Sequence, residues 1–391
     1  MKFFRVTILL LLGLFFSCSS SKKEKNGEEE SIVVEIANDS HLLFSKVFEQ
    51  VDYIPLETTD SALVGVVERF RVFDDKVCLL CDKSMLLFDS RTGRSSLNLS
   101  KLGNAPGEYK SLYDTYVDKE TGIVELLDRS DQKLYKYSLG GTFIETVELP
   151  SLPFSFIPDE EAFYWLYNNN WPTEEVKSKL LLFNAVNKKV CGEYFPIDSH
   201  LANYYFVVEG NNFVRREDET LFYFSPSEKI YSLRGKEAPA PVYSVDFGRH
   251  AVPEEFYERN FADIMEFSAE ATKRGYVYFI NNFAANNDYV QLSFFSEEKP
   301  FWSIYSIREA ITYTGHLLQD DINSLKAFEA SNLNTLFSIE GNYLYFLISP
   351  DQFLEMSRNN RIFAEKVNAF GISEQSNPLL VKCKFKKNQL L

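Results

Sequence analysis

The chain has 391 residues and a net charge of −15. That length is more than one ordinary core accommodates, and no linker interrupts the chain after residue 50. Its 35 Phe and 22 Tyr favour strands, and its acidity opposes a phosphate backbone, so no nucleic-acid partner is expected.

At the N-terminus, Lys2 and Arg5 precede an apolar run, Ile8–Phe16. The run has the length of a signal peptide and is shorter than the roughly 20 residues of a spanning helix. It ends Leu14-Phe15-Phe16-Ser17-Cys18. A small residue directly before a Cys resembles the lipobox of bacterial lipoproteins, in which the Cys becomes the new N-terminus and carries lipid. Phe15 stands where such lipoboxes usually have Leu. The competing reading is ordinary cleavage near Ser17 with an incidental Cys18. The expected organisation is a signal peptide over 1–17, lipidation at Cys18, a disordered polar tether over 18–30 and one domain over 31–391. Loss of Lys2 and Arg5 leaves the mature chain two charges more negative. The resemblance implies an outer-membrane lipoprotein of the bacterial cell envelope. Because Ser and Lys precede Glu28–Glu30, periplasmic and surface placement both stay open.

Two short β runs follow, Ser31–Ile36 and Val47–Leu56, the second ended by Pro55. A first four-strand unit spans Val66–Leu99, with turns at Asp74-Asp75, Asp82–Ser84 and Ser90–Gly93. A second spans Gly103–Leu149, with turns at 118–122, 128–132 and Gly140-Gly141. Turn residues at this spacing between β-branched and aromatic runs predict antiparallel meanders. Further units fit Phe154–Pro196, Asn203–Phe247, a fifth after an insertion (strands near 275–281, 288–295 and 299–305), and a last one including Asn334–Glu340, Asn342–Ile348 and Leu379–Phe385. The repeat of ~45–60 residues is near that of propeller blades. The insertion 253–274 opens with Pro253 and carries Phe256, Phe261, Ile264, Met265 and Phe267 at helical spacing, with Gly275 as C-cap. Weaker helical character is expected over 320–330 and 352–367. Ile32–Ile36 is expected to close the ring on the C-terminal blade, with Leu379–Phe385 able to complete that blade unaided.

Two motifs, Tyr53-Ile54-Pro55-Leu56-Glu57-Thr58 and Gly103-Asn104-Ala105-Pro106-Gly107-Glu108-Tyr109, resemble those of the six-bladed β-propeller lipoproteins of Bacteroidetes. In that group a YIPLET segment precedes the first blade and a G-x-G-P-G-E-Y loop opens the second; Ala105 replaces the second Gly. The resemblance spans about residues 32–391. It implies an all-β, six-bladed β-propeller of four-stranded antiparallel blades, with short helical insertions in the C-terminal half. It carries no common activity, and a more distant likeness to NHL-type propellers is one of fold alone.

In such a fold the inner strands line a channel. Arg69, Arg71, Asn104, Glu108 and Tyr109 are therefore candidate ligand residues at its mouth, where Glu108 beside Tyr109 offers an acceptor and a stacking ring. The competing account makes Gly103, Pro106 and Gly107 a tight turn that Glu108 caps. A second candidate cluster is Trp165-Leu166-Tyr167-Asn168-Asn169-Asn170-Trp171. Its flat rings beside amides suit a carbohydrate, with Tyr167 and above all Trp171 as ligand residues and Tyr204, Tyr205 and Trp302 as similar contributors. Trp165 and Tyr167 alternate along a strand, which equally fits an inter-blade core.

Cys78 and Cys81 have the spacing of a metal pair but lie in an apolar strand, where residues three apart face opposite ways. With Cys191 and Cys383 they read as buried small hydrophobes. No nucleophile elbow, zinc, phosphate-loop or Ca²⁺ motif is present, so no catalytic residue, metal or cofactor is assigned. The sequence leads to a membrane-anchored binding or scaffolding propeller for a glycan, peptide or protein partner. The alternative is a carboxylate-dependent hydrolase or lyase acting at the channel mouth.

Overall fold

The computed structural model describes residues 29–387, apart from residues 82, 83, 203, 205, 207–209, 217, 218, 332 and 359. The expected leader, the lipidation at Cys18 and the tether up to residue 28 lie outside the described residues, as does Tyr205. The first described residues already join the fold. Glu29 pairs with Lys229 (2.9 Å), and Glu30 accepts from the Tyr305 hydroxyl (2.6 Å).

The turn residues deliver the strands they predict. In the first sheet, Val67–Phe73, Lys76–Cys81, Ser84–Asp89 and Ser95–Leu99 pair in sequence order, antiparallel throughout. The second sheet repeats this with Asp114–Asp118, Ile123–Asp128, Lys133–Ser138 and Phe143–Glu148. Three further four-strand sheets begin at Ser155–Pro158, Phe213–Arg215 and Ile280–Ala285. In the fifth, Ile311–Gly315 is a fourth strand that the sequence reading missed. The sixth sheet is built from both ends of the chain. Its strands are Phe337–Glu340, Tyr343–Ile348 and Leu379–Phe385, and Phe48–Pro55 is its outermost strand.

This corrects the expected closure. Ile32 does not reach the C-terminal sheet; Glu30–Val33 adds a parallel strand to Ala240–Asp246 of the fourth. The Tyr-Ile-Pro motif closes the ring instead, with Pro55 at the strand's end, where its missing N–H removes no ladder bond. Tyr53 is buried and its hydroxyl donates to Asp320 (3.0 Å). Asn377 then clamps the motif's far end, donating to the Glu57 carbonyl (2.7 Å) and accepting from Val64 N (2.9 Å).

The described residues form seven sheets, where six were expected. The additional one has three short strands, His41–Leu43, Leu317–Gln319 and Phe328–Glu329. It joins segments far apart in the chain, a pairing that no local pattern announces, and it packs beside Ile311–Gly315. Gly315 permits this approach, because a Cβ there would meet the backbone N of Leu42 at 2.6 Å. The innermost strands of the four-strand sheets contact one another in cyclic order, from Val67–Phe73 through Phe337–Glu340 and back. An apolar cluster fills each gap between successive sheets. That is where the aromatic residues go: Trp165, Trp302, Tyr137 and Phe222 are all fully buried.

The insertions hold four helices among the described residues. Glu254–Tyr257 and Ile264–Lys273 split the single helix expected over 253–274. Asp263 caps the second through Met265 N and Glu266 N (2.9 and 3.0 Å). Gly275 follows it with φ +71°, as its C-cap role requires. Pro350–Ser357 and Arg361–Phe370 occupy the region expected to be helical over 352–367. Residues 320–330 are not helical; Asp320 binds Asn323 in a turn instead.

Of the cysteines, Cys78 and Cys81 face different inter-sheet clusters, as their spacing predicts, and Cys383 is buried. Cys191 is exposed, contrary to the expectation of burial, because Lys189–Pro196 is the outer edge strand of its sheet. No group of three metal-ligating side chains occurs among the described residues, and no helix among them is long and apolar enough to cross a membrane.

Candidate functional site: a cup closed by a cross-channel strut

Antiparallel order fixes what each face of the disc carries. Turns from the first to the second strand of each sheet lie on one face, which also takes the turns from third to fourth. Turns from second to third strand and the links between sheets lie on the other.

The channel is not a through passage. Arg71, on the innermost strand of the first sheet, sends its guanidinium to Asn211 Oδ1 (3.0 Å), which precedes the innermost strand of the fourth sheet. In the cyclic order these two strands stand opposite one another, so the contact spans the axis. Arg71 is held there by Asp114 Oδ1 (3.0 Å) and the Thr115 carbonyl. Asp114 is fully buried and also accepts from Thr115 N (2.8 Å), Ser155 Oγ (2.5 Å) and Phe156 N (3.1 Å), so one carboxylate joins the first three sheets. Beyond Asn211, its backbone N donates to Asn282 Oδ1 (2.8 Å), and Asn282 Nδ2 donates to the carbonyls of Thr335 and Phe337 (3.2 and 3.1 Å). A belt of charge-assisted and amide bonds thus crosses the channel and closes it.

What remains is a cup of about 1220 Å³, open on the face of the first-to-second-strand turns. Its floor is Arg71 and Asn211, and its wall includes Thr115, Tyr116 and Ser338. The rim carries Lys119, Arg215, Asn286–Asp288, Arg308, Glu340–Asn342, Lys386 and Lys387. Burial raises the Tyr116 hydroxyl above its ordinary value, although Arg215 and Arg71 pull the other way.

Arg71 thus lies on the channel, but at the floor of the cup where the mouth was expected. Arg69 shares its strand and lies 3.6 Å from Asp114. The other candidates sit towards the opposite face. In the Gly103–Tyr109 loop, Asn104 is exposed, while Glu108 Oε2 accepts from Ala105 N (2.9 Å). Tyr109 is wholly buried and donates to the Leu99 carbonyl (3.1 Å). Gly103 has no Cβ because the Glu108 carboxylate fills that space, and Gly107 (φ +80°) lies against the Phe143 ring. The loop thus locks the first sheet to the second. Ala105 is not among the positive-φ positions, so replacing the usual Gly strains nothing.

In the aromatic cluster, Tyr167 is buried between the third and fourth sheets, and Trp165 donates to Asp159 (2.9 Å). Asn168, Asn169 and Asn170 are buried, their amides donating to the carbonyls of Ser178, Phe206 and Tyr204. Behind them, burial brings the Lys179 amine down to about 8. Trp171 is half-buried at the loop. Trp302 is fully buried and donates to the Asn334 carbonyl (3.1 Å), and Tyr204 packs on the inserted helix through Phe267.

The sequence reading missed the rim residues because it searched the links that precede each unit. The turn after each first strand holds Lys119-Glu120, Arg216, Asn286-Asn287-Asp288 and Gly341-Asn342. Aligning the units would have brought these polar residues into register.

Residues 29–384 match the family profile of a domain of unknown function, DUF4934. No curated protein matches the chain. Among solved structures, it resembles a candidate exported protein of Bacteroides fragilis at 16% identity and a TM-score of 0.70, covering 92% of this chain and 99% of that one. It also resembles a DUF4221 family member from Bacteroides vulgatus at 10% identity and a TM-score of 0.51, covering 88% and 98%. These likenesses establish the propeller fold.

Proposed function

The chain belongs to the DUF4934 family, and we propose that it is an exported, lipid-anchored binding propeller that receives its ligand in the axial cup. The observation that carries this reading is the strut from Arg71 to Asn211, which turns a channel into a blind cavity of about 1220 Å³. A concave site with a fixed floor and convergent polar groups is the usual form of a ligand pocket. A glycan, or the end of a peptide or partner protein, is the ligand class that fits. The address rests on the Ser17-Cys18 sequence after an apolar leader and on the exported character suggested for the Bacteroides fragilis neighbour.

The test is a glycan and peptide binding screen of the full chain in detergent, with Asn287→Trp to obstruct the rim and Trp171→Ala on the other face. Binding lost in Asn287→Trp and kept in Trp171→Ala supports the cup. The reverse pattern moves the site to the aromatic loop. Product analysis of the bound ligand separates a binder from the hydrolase or lyase alternative. For the anchor, Cys18→Ser is expected to move the protein from the detergent phase to the aqueous phase and to abolish fatty-acid labelling. Unchanged partitioning would remove the lipid from the account.

A further inference from the structure

The cup reverses the sign of the molecule. The chain carries −15 overall, yet the cup presents more cations than carboxylates. Some of these charges are already matched: Arg71 by Asp114 (3.0 Å), Lys119 by Glu340 (3.7 Å), and Arg216 by Glu219. Four cations remain, Arg215, Arg308, Lys386 and Lys387, all exposed at the rim, against the rim carboxylates Glu120 and Asp288. Arg308 makes no ion pair among the described residues, and Arg215 spends one guanidinium nitrogen on the Pro158 carbonyl. Asp118 lies in the field of Arg215, while Asp321 and Glu49 lie in those of Lys386 and Lys387. These acids stand outside the cup lining, so a bound group meets the cations first. Because these charges are exposed, their attraction for a ligand is screened by salt.

We propose that the ligand of this cup is an acidic oligosaccharide, a short sugar chain bearing carboxylates or sulfates. The proposal rests on the cup being the binding site. Guanidinium forks match oxyanions bidentately, and Tyr116, half-buried on the wall and packed against the neighbouring core clusters, adds aromatic surface to the lining that a sugar would meet. The closed floor admits a chain end and prevents threading.

The test is calorimetric titration of the full chain in detergent with four probes of equal length: an oligouronate, a sulfated oligosaccharide, a neutral oligosaccharide and oligoglutamate. Wild type is compared with the double variant R308Q/K387Q, whose exposed side chains carry little of the fold. The acidic sugars are expected to bind, weakening as salt rises, and the double variant to bind them roughly tenfold more weakly. Which acidic sugar binds better tells a carboxylate from a sulfate ligand. Equal binding of the neutral sugar, salt-independent affinity or an unaffected double variant overturns the charge assignment while leaving a cup ligand standing. Oligoglutamate binding as tightly as the sugars overturns the sugar assignment. If no probe binds, the acidic-sugar inference falls, while the cup reading is decided separately by the glycan and peptide screen with Asn287→Trp.

Discussion

Two buried carboxylates play opposite electrostatic parts. Asp114 is surrounded by donors, and removing it would leave the Arg71 guanidinium without its counter-charge and the Phe156 amide without this acceptor. Asp114→Ala is expected to destabilise by about 3–5 kcal/mol, measured by denaturant unfolding, and to open the floor. Glu125 is the converse case. Burial pushes its carboxyl from 4.5 up to about 7, although Lys136 (3.8 Å) and the Tyr164 hydroxyl (3.2 Å) favour the charged form. Its Oε2 is buried with no hydrogen-bond partner among the described residues. A raised pKa means that the fold favours the protonated acid. Its contribution is full below about 4.5 and is lost as pH rises through about 7. Glu125→Gln is expected to flatten the fall in thermal stability between pH 5 and pH 8, by up to ~3 kcal/mol. A variant with the wild-type pH slope would show that another group controls it.

Among the elements, closure of the ring is the step the sequence placed wrongly. Phe48–Pro55 seats Phe48, Val51 and Tyr53 in the core and pairs with Leu379–Phe385 along its length, with one register shift between Lys384 and Phe385. Burying each such side chain contributes roughly 1.5–3 kcal/mol. Glu30–Val33 only extends the edge of the fourth sheet and buries chiefly Ile32. Deleting residues 29–37 is therefore expected to lower the melting temperature by a few degrees and leave a cooperative transition. A deletion running through residue 56 is expected to abolish it. Equal effects from both would contradict closure by the Tyr-Ile-Pro strand. The contrast shows where local pattern stops. Gly93, Gly122 and Gly141 end strands through their own positive φ, so the first two sheets were legible residue by residue. His41–Leu43 pairs with Leu317–Gln319 only because the ring brings them together, and three residues carry no periodicity to read.

For the whole molecule, the chemistry of the candidate site depends on which face of the disc is considered. The Gly103–Tyr109 loop and the Trp165–Trp171 cluster drew notice because aromatic and glycine-rich stretches stand out in a sequence. In the fold most of those residues lock sheets together, and their polar atoms are largely engaged internally. The cup was less visible. Arg71 was legible as a channel residue because it lies on a first strand, but its partner Asn211 lies 140 positions away, and the rim cations are scattered through turns that look like ordinary solvated loops. The charge reversal exists only when they are assembled. The most direct test is photo-crosslinking of an oligouronate to the full chain, with mass-spectrometric mapping of the attachment points. Attachment at Lys119-Glu120, Asn286–Asp288 or Lys386-Lys387 is the predicted result. Attachment at Gly103–Tyr109 or Asn168–Trp171 would place the site on the other face and contradict the account.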